Sequence, residues 1–270
     1  MTLSTDKVLY DQHEGVVTIT INRPEKLNAL DRDVLVGLAE AFIHFDADPS
    51  AAVAILTGAG DRSFTVGIDL GERSESGKPG LGFPDISPLV NPFWPGRQNR
   101  VSKPVIAAVN GYAMGGGLYL ALQADICVAS TNAKFEMSET LRGCVAGWET
   151  GYLHNLPISG WAEIALGGRL SAQRAYDLGI VTEVTEPEGL LAAAQRRARD
   201  VLRITPLVRD RNLRLLRQLR PTIPQELWDE ESVYIEECRF DPDAAEAVTA
   251  FLERRQPVFV GAPSSPENAR

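Results

Sequence analysis

The chain has 270 residues, 44% hydrophobic and 23% charged, the balance of a globular protein with a sizeable core. Its net charge of −9 and pI near 5.0 disfavour nucleic acid or an anionic membrane surface as a partner, while leaving room for a small anionic ligand at a local basic site. Cys127, Cys144 and Cys238 are widely spaced and form no Cys-x-x-Cys pair, which predicts reduced thiols rather than disulfides or zinc. The N-terminus shows no basic flank followed by an apolar run, so no signal peptide is read there and a cytoplasmic location is expected.

Val17, Ile19 and Ile21 alternate with Thr18, Thr20 and Asn22, the period of a half-buried strand, and Arg23-Pro24-Glu25-Lys26 breaks it. Asp31 then caps a helix whose apolar face is Val34, Leu35, Leu38, Ala41, Phe42 and Phe45. Val53 to Thr57 reads as a buried strand ended by Gly58-Ala59-Gly60. The Gly-, Pro- and Ser-rich stretch from Gly71 to Ser102 is an irregular segment of a length usually tied to function. From Pro104 to Ala124 no charge occurs, but Asn110-Gly111 and Gly115-Gly116-Gly117 interrupt the run. The spacing therefore predicts a strand at Val105–Val109 and a buried helix to about Ala124, not a membrane span.

Asp125–Ala129 and Lys134–Met137 are strand candidates, Ser159 and Ser171 candidate helix caps, and Gly179 the stop of a helix over Ala172–Leu178. One more strand is expected over Ile180–Val184, then helices at about 188–203, 206–219, 225–239 and 242–255. Arg209, Arg211, Arg214, Arg217 and Arg220 give the second of these an Arg-rich surface, read as solvated or subunit-facing. Alternating strands and helices followed by helices alone predict an α/β core over residues 1–200 and a helical region over 201–270.

The glycine triplet is the most informative feature. A glycine inside a helix costs about 1 kcal/mol relative to Ala, so three at a helix start point to a backbone constraint. One such constraint is a ligand drawn close to unpaired N–H groups at the positive end of the helix dipole. Dinucleotide and phosphate-loop fingerprints fail: Leu120 and Ser63 stand where the last glycine of G-x-G-x-x-G belongs, and no G-x-x-x-x-G-K-[ST] occurs. The sequence also lacks a G-x-S-x-G elbow.

Six segments in order resemble the crotonase (enoyl-CoA hydratase/isomerase) superfamily along nearly the whole chain. They are Ile21-Asn22-Arg23-Pro24 with Leu27-Asn28-Ala29-Leu30, and Phe64-x-x-Gly67-x-Asp69-Leu70. Next come Lys103-Pro104-Val105-Ile106-Ala107-Ala108-Val109-Asn110-Gly111 running into the triplet, and Ala133-Lys134-Phe135. Leu166-Gly167-Gly168-Arg169-Leu170-Ser171-Ala172 and Ala175-x-x-x-Gly179-Ile180-Val181 complete the set.

The resemblance implies a crotonase-like ββα spiral core with a C-terminal α-helical trimerisation region, assembling as a homotrimer or dimer of trimers. It implies an acyl-CoA thioester substrate, with coenzyme A entering as part of that substrate and no separate bound cofactor or metal. Mapped by motif, the thioester oxygen is held by the backbone N–H groups of Ile68 and Gly116. Lys26, Leu27, Thr65, Gly67, Asp69, Leu70, Gly115, Trp148 and Phe259 are expected along the CoA ester, and Arg23 and Lys26 near phosphates.

Hydratases of this kind carry two glutamates. Here Glu139 occupies one position and Tyr119 the other, and a phenol with a pKa near 10 is no base at neutral pH. The usual Gly-rich stretch that follows is replaced by Gly143 to Gly151, which brings in Trp148 and Glu149, with His154 on the next helix. A lone glutamate fits double-bond isomerisation; hydration requires Tyr119 or Glu149 to substitute. The alternative is a non-catalytic acyl-CoA binder.

Overall fold

Strand β2 (Val16–Ile21) buries every second residue, as its alternation requires, and pairs antiparallel with β1 (Val8–His13). β3 (Val53–Gly58), β5 (Val105–Val109), β7 (Ile126–Ser130) and β10 (Glu183–Thr185) extend this sheet in parallel, giving the order β1-β2-β3-β5-β7-β10. β3 and β5 are apolar nearly throughout because helices and a second sheet cover both their faces. These relations come from a computed structural model, which describes residues 3–69, 101–145, 156–219 and 224–261.

Three of the long strands are followed by a short one in a second layer. β3 leads to β4 (Ser63–Thr65), β5 to β6 (Tyr112–Met114) and β7 to β8 (Lys134–Glu136). With β9 (Arg169–Ser171) they form a four-stranded sheet of order β4-β6-β8-β9, parallel except for the β8/β9 pair. The repeated long-strand, short-strand, connection unit is a ββα spiral. Its short layer gathers the ends of β4, β6 and β8 into one place.

Helix α1 (Arg32–Ala47) begins where Asp31 accepts the Val34 N–H at 2.9 Å, and it buries Val34, Leu35, Leu38, Phe42 and Phe45 in the main core. α2 (Gly116–Gln123) is buried along almost its whole length. The uncharged run from Pro104 is therefore strand, short strand and core helix. Among the described residues no helix is long and apolar enough to cross a membrane.

Helix α3 (Ile158–Ala165) starts two residues earlier than the Ser159 cap predicts. Pro157 holds the cap position and its carbonyl accepts the Trp161 N–H, so Ser159 lies exposed in the first turn. α4 (Ala172–Asp177) is capped by the Ser171 hydroxyl as expected, and Gly179 ends it at φ +79°. The Ile180 and Val181 amides still close this helix end onto Ala175 O, which is why β10 begins at Glu183 rather than at Ile180.

α5 (Leu190–Leu202) lays Leu190, Ala193, Ala194 and Ala198 on the outer face of β3, β5 and β7. α6 (Pro206–Gln218), α7 (Gln225–Phe240) and α8 (Pro242–Leu252) follow. Arg217 of α6 is not a surface cation. Its guanidinium pairs with Asp125 through two N–O contacts of 3.2 and 2.9 Å and also donates to the Val101 and Lys103 carbonyls, tying the helix to the core. Arg209, Arg211 and Arg214 are not held this way, and Arg220 lies outside the described residues.

Candidate active site

The loop after β2 is built to hold the chain on both sides of β4, the β3–β4 turn first and then the segment that follows β4. Leu27 and Asn28 adopt left-handed φ of +53° and +56°, and the buried Asn28 side chain donates to the Ala59 and Ser63 carbonyls at 3.0 and 2.7 Å. Asn110 reaches the same turn, donating to the Gly58, Gly60 and Ser63 carbonyls. Leu30 then bridges Ile68 in parallel, its N–H donating to Gly67 O at 2.8 Å while Asp69 N–H donates to Leu30 O at 3.1 Å. Adjacent amides of an extended segment point to opposite sides, so the Ile68 N–H is turned away from this loop.

Arg23 and Asp69 lock this arrangement from below. The Arg23 guanidinium donates to Ala29 O at 2.9 Å and Asp69 Oδ2 at 3.0 Å, and pairs with Asp31 at 3.3 Å. Only 13% of its side chain is exposed. Arg23 is thus committed to carboxylates of its own chain rather than set out to meet a phosphate. Asp69 is a brace of the turn, whereas Lys26 is exposed at the loop tip and Leu27 is half-buried.

Gly67, at φ +83°, sits against the glycine triplet. A Cβ there would lie 2.9 Å from Met114 O and 3.0 Å from Gly116 N. The Thr65 hydroxyl accepts the Gly67 N–H at 3.1 Å, and a Cβ on Gly117 would collide with the Thr65 carbonyl. The amides of Ile68 and Gly116 therefore lie on neighbouring segments, and neither donates a hydrogen bond to a described residue. Paired backbone N–H donors aimed at one oxygen can stabilise an oxyanion.

Gly115 joins those donors to Glu139. Its N–H donates to Glu136 O at 2.9 Å, its φ is +51° and ψ −119°, and the Glu139 carboxylate fills the space where a side chain at this position would begin. A Cβ would stand 2.5 Å from Glu139 Oε1 and 2.9 Å from Ser138 Oγ. Glycine is required here for conformation and for space.

Glu139 begins the short helical turn Thr140–Arg142, whose Arg142 N–H donates to Glu139 O at 2.9 Å. Burial pushes its carboxyl up to about 7 and Glu136 adds to the rise, while its backbone setting, the Tyr119 hydroxyl and the Arg142 guanidinium oppose it. Tyr119 stands one turn along α2, with its N–H on Gly115 O and its ring fully buried. A carboxyl titrating near neutrality can both take and return a proton.

Sequence reasoning missed Glu136. It is 3% exposed, sits three residues before Glu139, and pairs with Arg169 across the β8/β9 register. A glutamate directly after the apolar Phe135, three residues before Glu139, was the available signal. Phe259 lies in an exposed strap along α8, where Val258, Val260 and Gly261 amides donate to Glu246 and Asp243. Leu70, Trp148, Glu149 and His154 lie outside the described residues.

A sequence model of the enoyl-CoA hydratase/isomerase family matches residues 11–262. The chain is 33% identical to the short-chain-enoyl-CoA hydratase of Clostridium acetobutylicum, over 94% of this chain and 97% of that protein. It is also 33% identical to the (E)-benzylidenesuccinyl-CoA hydratase of Thauera aromatica, over 92% and 96%. The solved carnitinyl-CoA hydratase from Mycobacterium avium superposes with a TM-score of 0.82 at 30% identity, over 95% of this chain and 99% of that one. With the spiral of paired sheets, the abutting Gly67 and Gly115–Gly117 segments and this full-length match, the chain belongs to the crotonase, or enoyl-CoA hydratase/isomerase, superfamily.

Proposed function

We propose that this protein acts on acyl-CoA thioesters, with the Ile68 and Gly116 amides holding the thioester oxygen and Glu139 moving a proton beside it. The observation that supports this reading is that the Glu139 carboxylate fills the space where a Cβ of Gly115 would stand, next to the segment that carries the Gly116 amide. The relatives named above act, by their names, on enoyl-, benzylidenesuccinyl- and carnitinyl-CoA, which supports the substrate class without selecting an acyl group.

Tyr119 in place of a second carboxylate favours double-bond isomerisation over hydration. Glu139 removes a C2 proton from a 3-enoyl thioester, the electron pair moves onto the thioester oxygen as a dienolate, and the same carboxyl returns the proton at C4. A carboxyl near pH 7 is suited to both halves of that transfer.

A panel of 2-enoyl-, 3-enoyl- and 3-hydroxyacyl-CoA esters, followed by mass spectrometry and ultraviolet absorbance, separates the reactions. Isomerisation leaves the mass unchanged and creates conjugation; hydration adds one water. A product with water added from 2-enoyl-CoA, and no conversion of 3-enoyl-CoA, would reject the single-glutamate reading. No product from any ester would reject catalysis in favour of acyl-CoA binding.

Leu215, Leu216, Leu219 and Phe240 expose apolar surface on and beside α6 and α7. Covering it by association of copies through this helical region is the reading the family favours. Sedimentation equilibrium is expected to give three chains or six, and a monomer at micromolar concentration would reject it.

A further inference from the structure

The turn that presents Glu139 is packed against the last helix of the chain. Glu139 O accepts the N–H groups of Arg142 at 2.9 Å and Cys144 at 3.1 Å, and the Thr140 hydroxyl donates to Met137 O at 2.9 Å. Residues 137–144 are thus one hydrogen-bonded unit. Gly143 ends the turn at φ +68°. A Cβ on it would collide with Ala244 Cα and stand 2.5 Å from Ala244 Cβ and 3.1 Å from Ala244 O. Two turns further along α8, the centre of the Phe251 ring lies 3.8 Å from the Arg142 guanidinium carbon. Ala244, Ala247 and Phe251 follow i, i+3, i+7 spacing and so share one face of α8, and both alanines are buried. Small side chains there let the helix approach the turn closely.

We propose that Phe251 and Ala244 are positioning residues for Glu139: α8 clamps Arg142 through the Phe251 ring and Gly143 through Ala244, and so fixes the turn that presents the acid/base carboxylate. This rests on the reading of Glu139 as that group. Glu139 is then bounded at both ends. Its carboxylate fills the space that a Cβ of Gly115 would take, and its carbonyl is tied to the two residues on either side of the clamped Gly143. Proton transfer is sensitive to such placement, since a displacement of about 1 Å at a reacting group can cost about 10²-fold in rate. The C-terminal helix thereby acts in the catalytic unit of its own chain through packing alone, without touching the reacting atoms.

The test measures kcat and KM separately on the acyl-CoA ester that the wild type turns over, at a temperature where every variant is folded. Phe251→Leu keeps apolar bulk but removes the ring face, and is expected to lower kcat by about 10-fold with KM within about twofold of wild type. Phe251→Tyr restores the ring face and is expected to recover kcat; position 251 is 45% exposed, so the added hydroxyl can stay in water. Gly143→Ala forces the turn away from α8 and is expected to lower kcat by about 10²-fold. Gly179→Ala, also at positive φ but with nothing within 4 Å of its Cβ, separates that loss from backbone strain. If Gly143→Ala does not fold, the Phe251→Leu and Phe251→Tyr pair decides the matter. Unchanged kcat in Phe251→Leu, an equal loss in Phe251→Tyr, or a raised KM with kcat unchanged overturns the proposal. Full activity of Glu139→Gln would instead remove the reading beneath it.

Discussion

Glu139→Gln is expected to lower kcat by about 10²- to 10⁴-fold, the range for loss of a positioned acid/base group, while leaving binding of a CoA ester largely intact. The amide keeps the shape of the side chain beside Gly115 but cannot accept and return a proton. The same variant carries a stability signature of opposite sign. Glu139 titrates at about 7 in the folded chain against an ordinary value of 4.5. Below about pH 4.5 both states are protonated and nothing is lost. Between 4.5 and 7 the unfolded chain ionises first, so wild-type stability falls as pH rises, and above 7 the full cost persists. Relative to wild type, Glu139→Gln is therefore expected to gain up to about 3 kcal/mol between pH 4 and 8. Urea denaturation at several pH values measures this. A difference that does not change with pH would mean that the carboxyl is not desolvated.

Gly115→Ala is expected to lower kcat by about 10²- to 10³-fold, as for loss of one oxyanion donor or a displacement of about 1 Å at a reacting group. The new Cβ would lie 2.5 Å from Glu139 Oε1, 2.9 Å from Ser138 Oγ and 3.1 Å from Glu139 Cδ, so the carboxylate and the 115–116 peptide must separate. The conformation at φ +51° and ψ −119° adds strain of about 1–3 kcal/mol for an alanine. Gly179→Ala is the matched control. It also has positive φ, at +79°, but nothing lies within 4 Å of its Cβ, so it is expected to lose stability without loss of activity. Equal activity loss in both variants would assign the Gly115 effect to general destabilisation.

Much of the long-strand layer and the helices was legible because one physical signal dominated each. Alternation identified β2, a side-chain cap located the start of α1, and Ser171 with Gly179 bracketed α4. The triplet was legible as a backbone constraint because three glycines at a helix start have few other uses, and the structure packs Gly115 against Glu139 and Gly117 against Thr65. The short layer was not. β4, β6 and β9 have three residues each, too few to show a period, and their pairing is fixed by tertiary contacts. Charge roles were the other blind spot. Arg23 and Arg217 look like surface cations in sequence, yet both are held by carboxylates distant along the chain, Asp69 and Asp125. Glu136 escaped notice because its partner Arg169 lies 33 residues away, brought close only when β8 and β9 pair.

The most direct test of the site is the infrared stretch of the thioester carbonyl, read by isotope difference with a 13C-labelled 3-enoyl-CoA bound to Glu139→Gln, where turnover is slow. Two backbone donors on that oxygen are expected to shift the band to lower frequency than in solution, and the shift is expected to shrink when Gly115→Ala is added. A carbonyl band at its solution frequency in bound ester would contradict a thioester oxygen held by Ile68 and Gly116.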